Sequence, residues 1–304
     1  MRKLAQGLAL TTTSVFTFIV LLAAVSNLFA SGDNIVTALR SFSWTVLGPH
    51  FIVVSFGAIA VSLFLFRLRR TKAPLIVGAA AVIALVSSLV IVTRIAVAVR
   101  AAGGKINPVT ALRLSVHLQR PNVIESYAFV DNRSLDAYVY KPANSRARAP
   151  LMLFIHGGGW TSGSVKEFVD ARWYADHGWL VVSADYRLAK ANSATWDKAP
   201  ADVGCALSWA ALNAERFGGD PKRITVFGMS AGGNLALNLA WAAALDRAPT
   251  TCPSLGKVPK PQAVVADYTV ANVLYTYQHG KGESFQDPRH FIEMYLGGNS
   301  STVP

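Results

Sequence analysis

Three long runs of apolar residues occupy the first hundred positions, and they constrain the chain more than any other feature. Residues 8–30 carry no charge, residues 43–66 carry none, and residues 74–99 carry one, Arg94, near their end. Each run exceeds the roughly 20 residues that a helix needs to cross a hydrocarbon core about 30 Å thick. Three transmembrane helices are therefore expected over 8–30, 43–66 and 74–99. A mean hydropathy of +0.34 fits a chain that is partly membrane and partly not. Arg94 reads as a snorkelling side chain near a helix end rather than an intramembrane site. His50, beside Pro49, reads as a polar residue tolerated within the second span.

Charge separates the two parts. Residues 1–120 hold 12 Lys and Arg against one Asp, whereas residues 121–304 hold 17 against 16. The basic excess thus lies between and beside the apolar runs. A nucleic-acid partner is not expected, because that would need a basic face on the folded domain. Arg2 and Lys3 precede the first span, and Arg67, Arg69, Arg70 and Lys72 fill the turn between the second and third. The loop between the first two spans carries only Asp33 and Arg40. The positive-inside rule puts the N-terminus and the RLRRTK turn in the cytoplasm, and three crossings then place everything after residue 100 on the extracytoplasmic side. Residues 101–120 read as a linker.

From residue 121 the pattern changes. "SLDAYVYKP" alternates apolar and polar positions, as a half-buried strand does. "APLMLFIHGGGW" and "WLVVSADYRLA" are continuous apolar runs of buried-strand type, and "RITVFGMS" and "QAVVADYTVA" are further strands. "FVDARWYADHG", the stretch after "KAP" and "AGGNLALNLAWAAALDR" have helical spacing. Strands that alternate with helices imply a mostly parallel sheet with helices on both faces. Ligands of such sheets sit at the carboxyl ends of the strands. The two cysteines, Cys205 and Cys252, form no zinc-type spacing. They are either unrelated buried thiols or one disulfide, and a disulfide would require an oxidising compartment.

Two motifs carry chemistry. Gly228-Met229-Ser230-Ala231-Gly232 matches G-x-S-x-G, with a predicted strand before it and a helix after it. That context pushes a serine hydroxyl out of a tight strand-to-helix turn, and the helix aims its positive end at the site. His156-Gly157-Gly158-Gly159-Trp160 follows another buried strand. Its consecutive glycines let backbone N–H groups approach a substrate carbonyl. Neither motif ends as a phosphate-binding loop would.

HGGGW, the "DYRLA" of residues 185–189 and GMSAGGNLAL resemble the α/β-hydrolase esterases of the hormone-sensitive-lipase and acetyl-esterase type. The resemblance spans about residues 121–304. It implies Ser230 as acyl nucleophile and the backbone N–H groups of Gly158, Gly159 and Ala231 as the oxyanion hole. It also implies a small ester as substrate and no cofactor or metal. His156 would be a structural residue of its loop, and Asp185 and Arg187 would brace that loop. Met229 and the stretch "AKANSATWDKAP" depart from the usual pattern.

A catalytic serine needs a base, usually histidine, and that histidine needs a carboxylate. The α/β-hydrolase order is Ser, acid, His. Only 74 residues follow Ser230 in the 304-residue chain. The expectation is an incomplete hydrolase domain over 121–304 that stops before the last strands and before the usual acid and base. Within the chain, Asp267 is the candidate acid, and His290 or His279 the candidate base. Asp287, before Pro288, reads as a turn residue. The reading is a membrane-anchored serine esterase acting at a lipid bilayer. The alternative is a catalytically impaired relative that serves as a binding or scaffold domain.

Overall fold

The computed structural model describes residues 2–29, 35–101, 103, 106–107, 111–112, 120–143, 148–168, 170–280 and 287–298. The predicted linker lies mostly outside these residues, as do Asp33, Lys105 and residues 299–304. The chain divides into two compact units, Met1–Ser115 and Val116–Pro304.

The first unit holds three helices, α1 (Arg2–Phe29), α2 (Ile35–Arg69) and α3 (Lys72–Ala101). All three contain a stretch long and apolar enough to cross a membrane: Leu4–Ala24, Leu47–Leu68 and Lys72–Ala101. Their mutual packing uses small side chains. A Cβ at Gly78 of α3 would lie 3.3 Å from the Ser62 Cβ of α2, so the two backbones run close together. Such close approach is how helices associate where lipid offers no hydrophobic contrast. Trp44 bonds the Ala23 carbonyl at 3.2 Å and meets the Phe51 ring edge-on at 4.9 Å. His50 is more than a tolerated polar residue, since its Nε2 lies 3.1 Å from the Leu112 carbonyl oxygen.

The second unit is a six-stranded sheet in the order β1-β2-β4-β3-β5-β6. Its strands are β1 (Val123–Val130), β2 (Arg133–Tyr140), β3 (Ala149–Ile155), β4 (Leu180–Ala184), β5 (Gly219–Met229) and β6 (Ala263–Asp267). β1–β2 and β2–β4 pair antiparallel, and β4–β3, β3–β5 and β5–β6 pair parallel. Leu151, Leu153 and Ile155 of β3 face one core, shared with α5 (Ala199–Asn213) and α6 (Ala231–Ala244). Met152 and Phe154 face the other, with Phe168 and the short α4 (Ala171–Asp176). A strand buried on both faces reads as a continuous apolar run, and that is why β3 and β4 stand out in the sequence.

Three local outcomes differ from the sequence expectation. β1 is a strand that alternation did not mark, because a bulge between Ser126 and Ala128 shifts its phase and turns Phe129 outward, while Ile124 is exposed on the outer face before it. The predicted strand after Gln262 ends at Asp267, where Tyr268 turns to φ +33. Beyond it the described residues include two helices, α7 (Val273–His279) and α8 (Pro288–Leu296). Asp287 caps α8, its carboxylate accepting from the Arg289 N–H at 2.9 Å, so it starts a helix instead of making a plain turn.

Cys205 of α5 and Cys252 form a disulfide that closes a separation of 47 residues. It ties the segment after α6 to the helix beneath the sheet.

Candidate active site

Chain order explains where a site can form. From β3 the chain steps to β4 on one side, then crosses to β5 on the other. The carboxyl ends of β3 and β5 therefore flank a topological switch point, where α/β sheets open a crevice. His156 and the three glycines follow β3, and Ser230 follows β5.

Ser230 sits at φ +52, ψ −119, a conformation that L-residues rarely adopt. Such backbone costs of order 1–3 kcal/mol and persists only where its surroundings hold it. Three hydrogen bonds do so. The Ser230 N–H donates to the Asp267 carbonyl at 2.9 Å, and the Ser230 carbonyl accepts from the Asn234 N–H at 3.2 Å and the Thr269 hydroxyl at 3.1 Å. Asn234 is buried and its side chain donates to the Val270 carbonyl at 2.9 Å, which fixes the turn after β6. α6 follows at once, and its first turn passes so near the end of β3 that a Cβ at Gly232 would lie 2.2 Å from the Ile155 carbonyl oxygen. Only glycine fits there.

The glycine loop lies against this turn. A Cβ at Gly157 would sit 3.3 Å from the Ser230 Cβ. Gly158 and Gly159 take φ +103 and +60, and Trp160 follows at φ +60. Trp160 is buried and stacks on Tyr295 of α8, ring centroids 4.6 Å apart. The Trp160 carbonyl accepts from the Ala189 N–H at 2.8 Å, which joins the loop to the segment after β4.

His156 is almost wholly buried and stacks on Tyr186 at 4.3 Å. Its Nδ1 lies 2.8 Å from the Gly157 carbonyl oxygen, so that nitrogen carries the proton. Its Nε2 has no hydrogen-bond partner among the described residues and stands 3.8 Å from the Asp185 carboxylate. Burial pushes the imidazole below its ordinary value of 6.5 and favours the neutral ring. Burial likewise raises the Asp185 carboxyl above the usual range. Asp185 accepts from the Val165 N–H at 3.1 Å, just beyond the glycine loop.

Arg187 turns the other way. Its guanidinium makes a two-pronged pair with the fully buried Asp202 at 2.8 and 2.7 Å, and it reaches Asp131 at 3.1 Å. Asp202 also accepts from the Thr251 hydroxyl at 2.6 Å. Arg187 therefore ties α5, the β1–β2 turn and the disulfide segment together, and it makes no hydrogen bond to the glycine loop among the described residues.

The candidate acid and base are distributed unevenly. Asp267 is the last residue of β6 and pairs with Met229, so its backbone adjoins Ser230. Its side chain is exposed and makes no hydrogen bond to a histidine among the described residues. His279 is exposed at the end of α7, with Nδ1 3.0 Å from the Tyr275 carbonyl oxygen and its ring stacked on Tyr275. His290 is exposed in the first turn of α8 beside Phe291. Among the described residues, no hydrogen bond joins the Ser230 hydroxyl to any of the three. The described residues contain no cluster of His, Cys, Asp and Glu able to hold a metal ion. Asn234, Thr269 and Asp202 escaped the sequence reading. A lone polar residue at a buried helical position was the one signal for Asn234 and Asp202.

Fold and motifs together define an α/β-hydrolase of esterase type. The chain belongs to the BD-FAE family, whose model matches residues 135–304. It is similar to esterase LipC of Mycobacterium tuberculosis, 39% identical over 90 residues, a match covering 29% of this chain and 22% of that protein. It is also similar to carboxylesterase NlhH of the same species, 40% identical over 104 residues, covering 34% and 32%. The chain thus spans less than a third of the length of these relatives. Among solved structures, Thermogutta terrifontis esterase 2 phosphonylated by sarin matches 60% of this chain and 66% of its own, at 26% identity and a TM-score of 0.47.

Proposed function

We propose that the protein is a membrane-anchored serine carboxylesterase that cleaves short acyl esters. In this reading residues 1–100 are a membrane domain, 101–120 a linker and 121–304 the hydrolase domain, held on the extracytoplasmic side. The observation that carries it is the strained, triply hydrogen-bonded Ser230 at the switch point, with Gly157 packed against it. The Ser230 hydroxyl attacks the ester carbonyl while its proton passes to a base. The N–H groups of Gly158, Gly159 and Ala231 stabilise the oxyanion, a contribution of about 3 kcal/mol for one such donor. The alcohol departs with a proton, and water then releases the acid from the acyl-serine. Within this chain His290 or His279 is the candidate base and Asp267 the candidate acid, and none of them is hydrogen-bonded to the Ser230 hydroxyl among the described residues. No cofactor or metal is required, and neither is nucleic acid. The Cys205–Cys252 disulfide supports the extracytoplasmic placement, because structural disulfides persist in oxidising compartments.

A second reading is favoured by one observation, the absence of a hydrogen bond from the Ser230 hydroxyl to any histidine or carboxylate among the described residues. The protein would then be a binding or scaffold domain that keeps the pocket without turnover. A fluorophosphonate probe, applied to the full chain in membranes, separates the two. Rapid labelling that Ser230→Ala abolishes, together with p-nitrophenyl acetate hydrolysis, supports the esterase. No labelling above that of Ser230→Ala leaves the binding domain.

A further inference from the structure

The glycine loop is closed at its far end by an aromatic ring. A Cβ at Gly159 would lie 2.8 Å from both Cδ1 and Cγ of Phe291, so only a glycine admits that ring. At the near end, Gly157 packs on Ser230. Two residues of extended chain span about 7 Å at most. Gly159, against which Phe291 lies, is therefore within that distance of Gly157, the residue packed on Ser230.

The ring is held by a fixed support. Ile292 is fully buried, and Tyr295 stacks under Trp160. The Tyr295 carbonyl accepts from the Thr195 and Trp196 N–H groups at 3.1 and 3.2 Å. Glu293 accepts from the Tyr277 hydroxyl at 2.7 Å, which joins α8 to α7. Asp287 caps the helix start. Phe291 is itself half-buried, with its ring against Gly159.

We infer that Phe291 sets the upper size of the acyl group, acting as a wall beside the oxyanion loop that admits a few carbons and turns away long chains. This inference rests on Ser230 being the nucleophile. Hydrophobic pockets discriminate by about 10- to 200-fold per methylene gained or lost, so one misplaced ring is enough to set a chain-length limit.

The test is the rate of covalent labelling of the full chain, in detergent, by p-nitrophenyl alkylphosphonates with ethyl and octyl groups. The alkyl group stands for the acyl chain, p-nitrophenolate leaves, and mass spectrometry locates the adduct on Ser230. The wild type is expected to favour ethyl over octyl. Phe291→Leu and Phe291→Ala should lower that preference about tenfold, and Phe291→Trp should raise it. Labelling at Ser230 with an unchanged ethyl-to-octyl ratio in Phe291→Leu overturns the inference and leaves the nucleophile standing. No labelling of the wild type by either probe overturns the nucleophile and the inference with it. If Phe291→Ala fails to fold, the Leu and Trp variants decide.

Discussion

The Ser230 N–H donates to the Asp267 carbonyl at 2.9 Å, and this bond fastens the last residue of β6 to the turn that follows β5. It makes the geometry of Ser230 a property of two neighbouring strands. The strain at Ser230 is local and the restraint comes from elsewhere in the sheet.

Replacing Ser230 by glycine relieves that strain. Glycine adopts positive φ without penalty, against which its greater freedom in the unfolded chain must be set. Ser230→Gly is expected to be as stable as the wild type or about 1 kcal/mol more so, and unreactive to fluorophosphonates. Urea unfolding of the two proteins checks this. A clear loss of stability would show that the serine side chain itself supports the turn.

The disulfide closes a separation of 47 residues, and chain entropy assigns such a loop about 4 kcal/mol. Cys205→Ser with Cys252→Ser should lose a large part of that. The loss should be accompanied by earlier proteolysis between α6 and β6, since Thr251 is no longer fixed beside Asp202. Equal melting temperatures with and without the bridge contradict this.

Asp202 is fully buried and holds Arg187 through three hydrogen bonds, two from the guanidinium and one from the backbone N–H. Removing one partner of a buried pair costs about 3–5 kcal/mol, because the other charge stays behind. Asp202→Asn is expected near the lower end, since the amide still accepts one bond. The free energy of unfolding reports it, and a change below about 1 kcal/mol refutes the pairing as a structural tie.

Burial holds the His156 imidazole neutral, with its titration lowered from 6.5. The unfolded chain takes up that proton near 6.5 and the folded one only at lower pH. Stability from this group is thus complete above about 6.5 and lost as pH falls toward the folded value. Asp185 works in the opposite direction: its raised carboxyl contributes stability that is present below the ordinary 3.8 and lost as pH rises through the raised value. Urea midpoints of wild type, His156→Gln and Asp185→Asn between pH 5 and 7.5 separate them. The His156→Gln profile should be flatter than wild type just below pH 6.5.

Membrane topology has its own test. Alkaline phosphatase joined after residue 120 should be active outside the cytoplasm, and the same reporter joined within the RLRRTK turn should be inactive. The reverse pattern places the hydrolase unit in the cytoplasm.

The three apolar helices, the buried strands β3 and β4 and both glycine motifs were legible because each is written in adjacent residues. An uncharged run of membrane length has few alternatives, and a strand buried on both faces needs no partner to be recognised. Ser230 and the glycine loop could be named from local spacing alone. What local spacing cannot encode is which distant groups meet. The bulge in β1 hid a strand by shifting its alternation. Between two free thiols and one Cys205–Cys252 bridge, the packing of α5 against the segment after α6 decided for the bridge. Thr269 holds the Ser230 carbonyl because β6 lies beside β5, and Phe291 reaches Gly159 because Trp160 and Tyr295 stack. These contacts join residues between 39 and 135 positions apart, and they are fixed by sheet order and helix packing, terms that exist only once the chain has closed on itself.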